Sequence, residues 1–145
     1  ADQVADGQFA GGDFFFATAH DLGVPAMVHT GAGVPFALPA LCIPAAKKYP
    51  GLNIILAHAG MAVFTAEAQV AASVCGNLYL ETSWCIGEDI RWMISTIGPD
   101  RVMMGADLPS NVPVEVSKYR SLDLAPEVYD QVMGGTAVEV FKLKW

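Results

Sequence analysis

Charge is what this sequence has least of. Only 16% of its 145 residues are charged, while 53% are hydrophobic; ordinary soluble domains carry about a quarter charged. So thin a polar coat leaves apolar surface on a lone copy, which predicts that a homo-oligomeric partner or a missing N-terminal half covers part of it. Basic residues are scarcer still. The formal charge is −7 and Lys47–Lys48 is the only adjacent basic pair, so no nucleic-acid partner is expected. Cys42, Cys75 and Cys85 lack C-x-x-C spacing and read as reduced, small, buried apolar residues. No apolar run approaches the roughly 20 residues of a membrane-spanning helix, and no basic start leads into an apolar signal core. A cytoplasmic protein with no membrane partner is the expectation. The chain opens on Ala1 rather than methionine and reads as a trimmed product or a fragment.

What is present is a repeated plan. Asn53–Gly60, Asn-Ile-Ile-Leu-Ala-His-Ala-Gly, is a short apolar run that ends in a histidine and then a glycine. Such a run suits a strand buried on both faces of a parallel sheet. The pattern recurs in Pro25–Gly31, ending in His29, in Asn77–Ser83, ending in Glu81 and Ser83, and in Arg101–Pro109, ending in Asp107. The polar ends at 29, 58, 81 and 107 lie 29, 23 and 26 residues apart, the size of a strand plus its crossover helix.

The intervening segments read as helices: 13–22 with Asp13 as its cap, part of 38–49 interrupted by Pro44, 63–74, 88–97, one from Pro126 to Gly134, and a last one opened by a Thr136-x-x-Glu139 capping box. Residues 1–12 read as an irregular lead-in to a single domain of 145 residues. The fold class is α/β: four parallel βα units plus a C-terminal helix. A complete (β/α)₈ barrel takes about 250 residues, so the chain amounts to about half of one.

Parallel α/β sheets place their chemistry at the carboxyl ends of the strands. His29 and His58 offer imidazole and Asp107 a carboxylate, a donor set that suits a divalent metal: zinc first, with manganese or iron as alternatives. In that reading Asp107 takes a proton and His58 holds metal or polarises a carbonyl. Thr30, Glu81 and Ser83 are the candidates for contacting a small-molecule substrate. A single buried histidine is ordinarily a hydrogen-bonded core residue, and Asp-x-Pro is an ordinary turn. It is their recurrence at the same end of successive strands that makes a site. Ser83 lacks the G-x-S-x-G elbow of a hydrolase nucleophile. Trp84, Trp92, Met103 and Met104 read as packing, and His20 as a surface residue in the last turn of its helix.

Val28-His29-Thr30-Gly31, Ala57-His58-Ala59-Gly60 and Gly105-Ala106-Asp107-Leu108-Pro109, in this order and spacing, resemble the amidohydrolase superfamily, and within it the amidohydrolase-related TIM-barrel hydrolases and decarboxylases. The resemblance runs from about Asp13 to Leu143 and corresponds to barrel strands five to eight. It implies that His29 is a metal ligand. It implies that His58 binds a second metal, the substrate or the attacking water, and that Asp107 is both ligand and general base. The activity implied is metal-dependent hydrolysis at a carbonyl or related carbon of a small molecule, with decarboxylation as an alternative. The His-x-His pair of the superfamily's first strand has no counterpart here, since the one remaining histidine is His20. That gap keeps open a degenerate half-barrel that binds a ligand or partner without catalysis.

Overall fold

The computed structural model describes residues 10–34 and 37–144. Four strands, β1 (Ala26–His29), β2 (Ile54–Ala57), β3 (Leu78–Glu81) and β4 (Val102–Met103), form one parallel sheet in the order β1-β2-β3-β4. Each pairs with the next in sequence, Ala26 opposite Ile54, Ile54 opposite Leu78 and Leu80 opposite Val102. Helices α1 (Ala10–Leu22), α2 (Ile43–Lys48), α3 (Thr65–Val74), α4 (Gly87–Ile97), α5 (Val112–Ser121), α6 (Pro126–Asp130) and α7 (Thr136–Phe141) complete the described chain. None of the described helices is long and apolar enough to cross a membrane.

Apart from His29 and Glu81 at their carboxyl ends and Tyr79, the strands are built of apolar residues because each side of the sheet has its own burial to make. Val28, Ile54, Leu56, Leu78, Leu80 and Val102 belong to the main core, together with Phe16 of α1, the alanines of α3 and Ile90 and Met93 of α4. Helix α4 shows why such helices form. Ile90, Met93, Ile94 and Ile97 recur at one-turn spacing and are buried, and Gly98 ends the helix at φ 102°. The opposite face carries Ile55, Met103 and the half-buried Tyr79, which pack with Val140 of α7. Met27, on the same face at the β1 edge, is 47% exposed. This face, the inner one if the sheet were to close into a barrel, is thus covered at one end and open at the other.

Several local expectations are corrected. Helix α1 begins at Ala10, within the segment expected to be irregular, while residues 1–9 lie outside the described ones. Asp13 is inside its first turn rather than its cap. Its carboxylate accepts hydrogen bonds from Lys48 Nζ at 2.5 Å and Tyr49 Oη at 2.9 Å, tying α1 to the end of α2. Pro44 does divide its segment, into a 3₁₀ turn (Pro39–Cys42) and α2. The break expected at Gly134–Gly135 is a π turn (Gln131–Gly135) that joins α6 to α7. Thr136 caps nothing there; its hydroxyl donates to the Pro99 carbonyl at 2.8 Å. Helix α5 lies where the sequence predicts no element. All three cysteines are free and buried, and burial pushes the Cys42 thiol up to about 12, which leaves it inert at neutral pH.

Candidate functional site

The register gathers the carboxyl ends of the strands. His29 lies opposite Ala57 and Glu81 opposite Met103, with Leu56 opposite Leu80 setting both pairs in one row. Ala57 is small, so the row dips between His29 and Glu81. His58 follows β2 and leaves it at φ 66°, with Ala59 at 42° and Gly60 at 79°. A left-handed backbone costs a non-glycine residue about 1 kcal/mol or more, so this turn must be held. Glu81 Oε2 accepts the His58 N–H at 2.9 Å. Thr30 Oγ1 accepts the Gly60 N–H at 2.9 Å and donates to the Ala57 carbonyl at 2.8 Å. The result sets the His58 imidazole edge-on to that of His29, with centroids 4.9 Å apart and planes at 67°.

Glu81 and Ser83 stand behind His58. Ser83 is fully buried. Its N–H donates to Glu81 Oε1 at 2.8 Å, and its Oγ lies 2.9 Å from Glu81 Oε2 and 2.6 Å from His58 Nδ1. Thr30 is likewise buried and bonded to its neighbours. The hydrogen-bonding capacity of these three residues is used mostly within the protein.

Asp107 is exposed and sits at φ 60° on the loop after β4. Its Oδ2 accepts the Trp84 indole N–H at 2.9 Å, so Trp84, which is 43% exposed, is a partner of Asp107 rather than core packing. Trp84 itself is at φ 67°, and its backbone N–H donates at 3.0 Å to Glu115, a residue of α5 that is 1% exposed. Asn111 and Lys118 also engage the Glu115 carboxylate. Helix α5 therefore braces the loop that orients Asp107. Only the pairing of Asn111 with Glu115 at helical spacing could have signalled it from the sequence.

Among the described residues no three His, Cys, Asp or Glu side chains are grouped closely enough to hold a metal ion. The pair His29–His58 is the part that fits one. His29 Nε2 is buried with no hydrogen-bond partner among the described residues, an orphaned lone pair or N–H that a ligated ion would satisfy. Asp107 does not close the set. Burial, and secondarily the neighbouring His58, lower the His29 pKa from its ordinary 6.5, while Asp107 and the Ala32 backbone oppose the shift. Below about 6.5 the unfolded chain then binds a proton that the native state resists, so native stability falls as pH drops through that window. Metal-free protein is expected to lose melting temperature on acidification from pH about 7 to 5, and His29→Asn to flatten that slope. Equal slopes for the two proteins in calorimetry would refute the assignment.

His58, Glu81 and Asp107 border a groove of about 350 Å³ that also touches Met27, Ala57 and, from α7, Phe141. A parallel sheet of four consecutive βα units with its polar groups at the carboxyl edge defines part of a (β/α)₈ barrel. The amidohydrolase family profile matches residues 2–143, and the chain belongs to that family. Solved structures repeat the fold. An uncharacterised TIM-barrel protein from Bordetella bronchiseptica superimposes with a TM-score of 0.80 at 18% identity, over 96% of this chain and 52% of that one. A dihydroxybenzoic acid decarboxylase from Polaromonas, with bound manganese and an inhibitor, gives 0.71 at 18% identity, over 94% and 55%. An amidohydrolase from Burkholderia multivorans with bound zinc gives 0.66 at 17% identity, over 99% and 61%. The chain thus spans little more than half the length of the structures it matches. No curated protein matches it.

Proposed function

We propose that the chain is the strand-five-to-eight part of a metal-dependent hydrolase of the amidohydrolase type, acting on a small molecule in the groove at the carboxyl edge of the sheet. The observation that carries this reading is His29, whose buried Nε2 has no partner among the described residues and whose ring lies edge-on to that of His58. His29 and His58 would hold a divalent ion, zinc first and manganese or iron next, and such an ion supplies a Lewis acid beside the bond to be broken. Asp107 accepts a proton on Oδ1, the oxygen that Trp84 leaves free. Thr30 and Glu81 hold the turn that presents His58. The open inner face at Met27 supports completion of the barrel by a second copy or by an N-terminal half. Decarboxylation is the second reading, favoured by the fold shared with the dihydroxybenzoic acid decarboxylase; release of CO₂ from a substrate acid separates the two.

Native mass spectrometry of the chain with added zinc or manganese tests the site and the assembly together. Near-stoichiometric metal is expected, on a dimer if a second copy completes the barrel. His29→Ala is expected to lower affinity by about 100-fold or more, since even supporting residues around metal sites are worth 10- to 100-fold. Metal content unchanged by His29→Ala would end this reading.

A further inference from the structure

We propose that Glu81 and Ser83 are positioning residues that lock His58 in its Nδ1–H tautomer and so leave Nε2 as a bare lone pair. The inference deepens the reading of His58 as part of the metal site and rests on it for its functional meaning.

The argument follows the hydrogens. Glu81 is a buried carboxylate, which only accepts. Two backbone N–H groups already point at it, from His58 to Oε2 and from Ser83 to Oε1. The Ser83 hydroxyl has one hydrogen and two close neighbours, Glu81 Oε2 at 2.9 Å and His58 Nδ1 at 2.6 Å. If that hydrogen went to His58, two acceptor oxygens would face each other at 2.9 Å with nothing between them. Given to Glu81, it leaves an oxygen lone pair facing Nδ1, and a contact of 2.6 Å then requires hydrogen on that nitrogen. Direct pairing of the carboxylate with the ring is too long, at 3.7 Å, so Glu81 acts through the serine. Ser83 has no exposure to water, so solvent does not substitute for either partner.

The surroundings are built for this chain of bonds. A methyl group on Gly105 would overlap the Glu81 carboxyl, with Cδ only 2.6 Å away, so the segment just after β4 leaves out a side chain where Glu81 passes. The same carboxylate fixes the left-handed turn that carries His58. One residue sets both where the imidazole sits and which of its nitrogens is protonated. The consequence is chemical. With Nε2 unprotonated, His58 serves as a ligand to a divalent cation or accepts a proton from water, and it does not donate a hydrogen bond to a carbonyl oxygen.

Side-chain ¹⁵N spectra of the metal-free chain at alkaline pH, where imidazole is neutral, read the tautomer directly. The chain has three histidines, and His20→Asn and His29→Asn assign the signals. His58 is expected to show a protonated Nδ1 and an unprotonated Nε2. Ser83→Ala is expected to replace that pattern with averaged shifts at both nitrogens, and Ser83→Thr, which keeps the hydroxyl, to restore it. An Nε2–H tautomer in the wild type overturns the proposal, as does a wild-type pattern in Ser83→Ala. The wild-type spectrum decides alone should that variant not fold. Zinc added to the same sample keeps the two readings apart. A locked Nδ1–H with no zinc-induced shift sinks the metal site and spares the relay, whereas zinc binding to an Nε2–H histidine sinks only the relay.

Discussion

Alanine at Gly31 is expected to cost the chain about 3–4 kcal/mol and to lower its melting midpoint by about 10 °C. Gly31 sits at φ 110°, a region that L side chains avoid, and an added Cβ would come within 2.8 Å of Gly60 C and Met61 N. These are backbone atoms of the turn after β2, so no side chain can swing away. Gly33 supplies the control. It lies in the same loop at φ 97°, but none of the described residues stands within 4 Å of its would-be Cβ, so Gly33→Ala is expected to carry the backbone strain alone, about 1 kcal/mol. The difference between the two variants in denaturant titrations isolates the steric part. Equal losses would mean that the loops after β1 and β2 do not press on each other as described. The test matters for the site because that contact sets His29 and His58 side by side.

The second large effect is expected at Glu81. Glu81→Ala strands the buried backbone N–H groups of His58 and Ser83 and takes away one partner of the Ser83 hydroxyl; a buried donor left unsatisfied costs about 1–3 kcal/mol. A loss of about 4 kcal/mol is a large share of the 5–15 kcal/mol that holds a domain of this kind together. Gly105→Ala is expected to cost about 2 kcal/mol in the wild type by displacing the same carboxylate, and little once Glu81 is alanine. The pair should therefore couple in a double-mutant cycle of urea midpoints. Strict additivity would mean that Gly105 is small for some other reason.

The strands and the polar residues at their ends were legible because both are local. Four apolar runs at a regular spacing specify a parallel sheet, and its register brings His29 and Glu81 into one row and places His58 at its edge. Helix α5 was not legible because its fully buried residues are Glu115 and Tyr119. They are inside because they bond to the Trp84 backbone and the Thr82 hydroxyl, and hydropathy has no sign for that. The helix break expected at Gly134–Gly135 failed for the reverse reason. Two glycines raise the cost of a helix without forbidding it, and buried Val132 and Val140 on either side keep the segment in the core. The bond from Trp84 to Asp107 and the triangle of His58, Ser83 and Glu81 span more than twenty residues in sequence. Such pairings exist only once the sheet has brought their strands together.

The order β1-β2-β3-β4 also bears on how the molecule assembles itself. Every strand pairs with its immediate successor, so each pairing closes a loop of fewer than about 30 residues. Nothing in the sheet waits for the two ends of the chain to meet. Folding can start at β1–β2 and add one βα unit at a time, in the order in which a ribosome delivers them. The same sequential growth leaves the outer edges of β1 and β4 without a strand partner among the described residues at every stage.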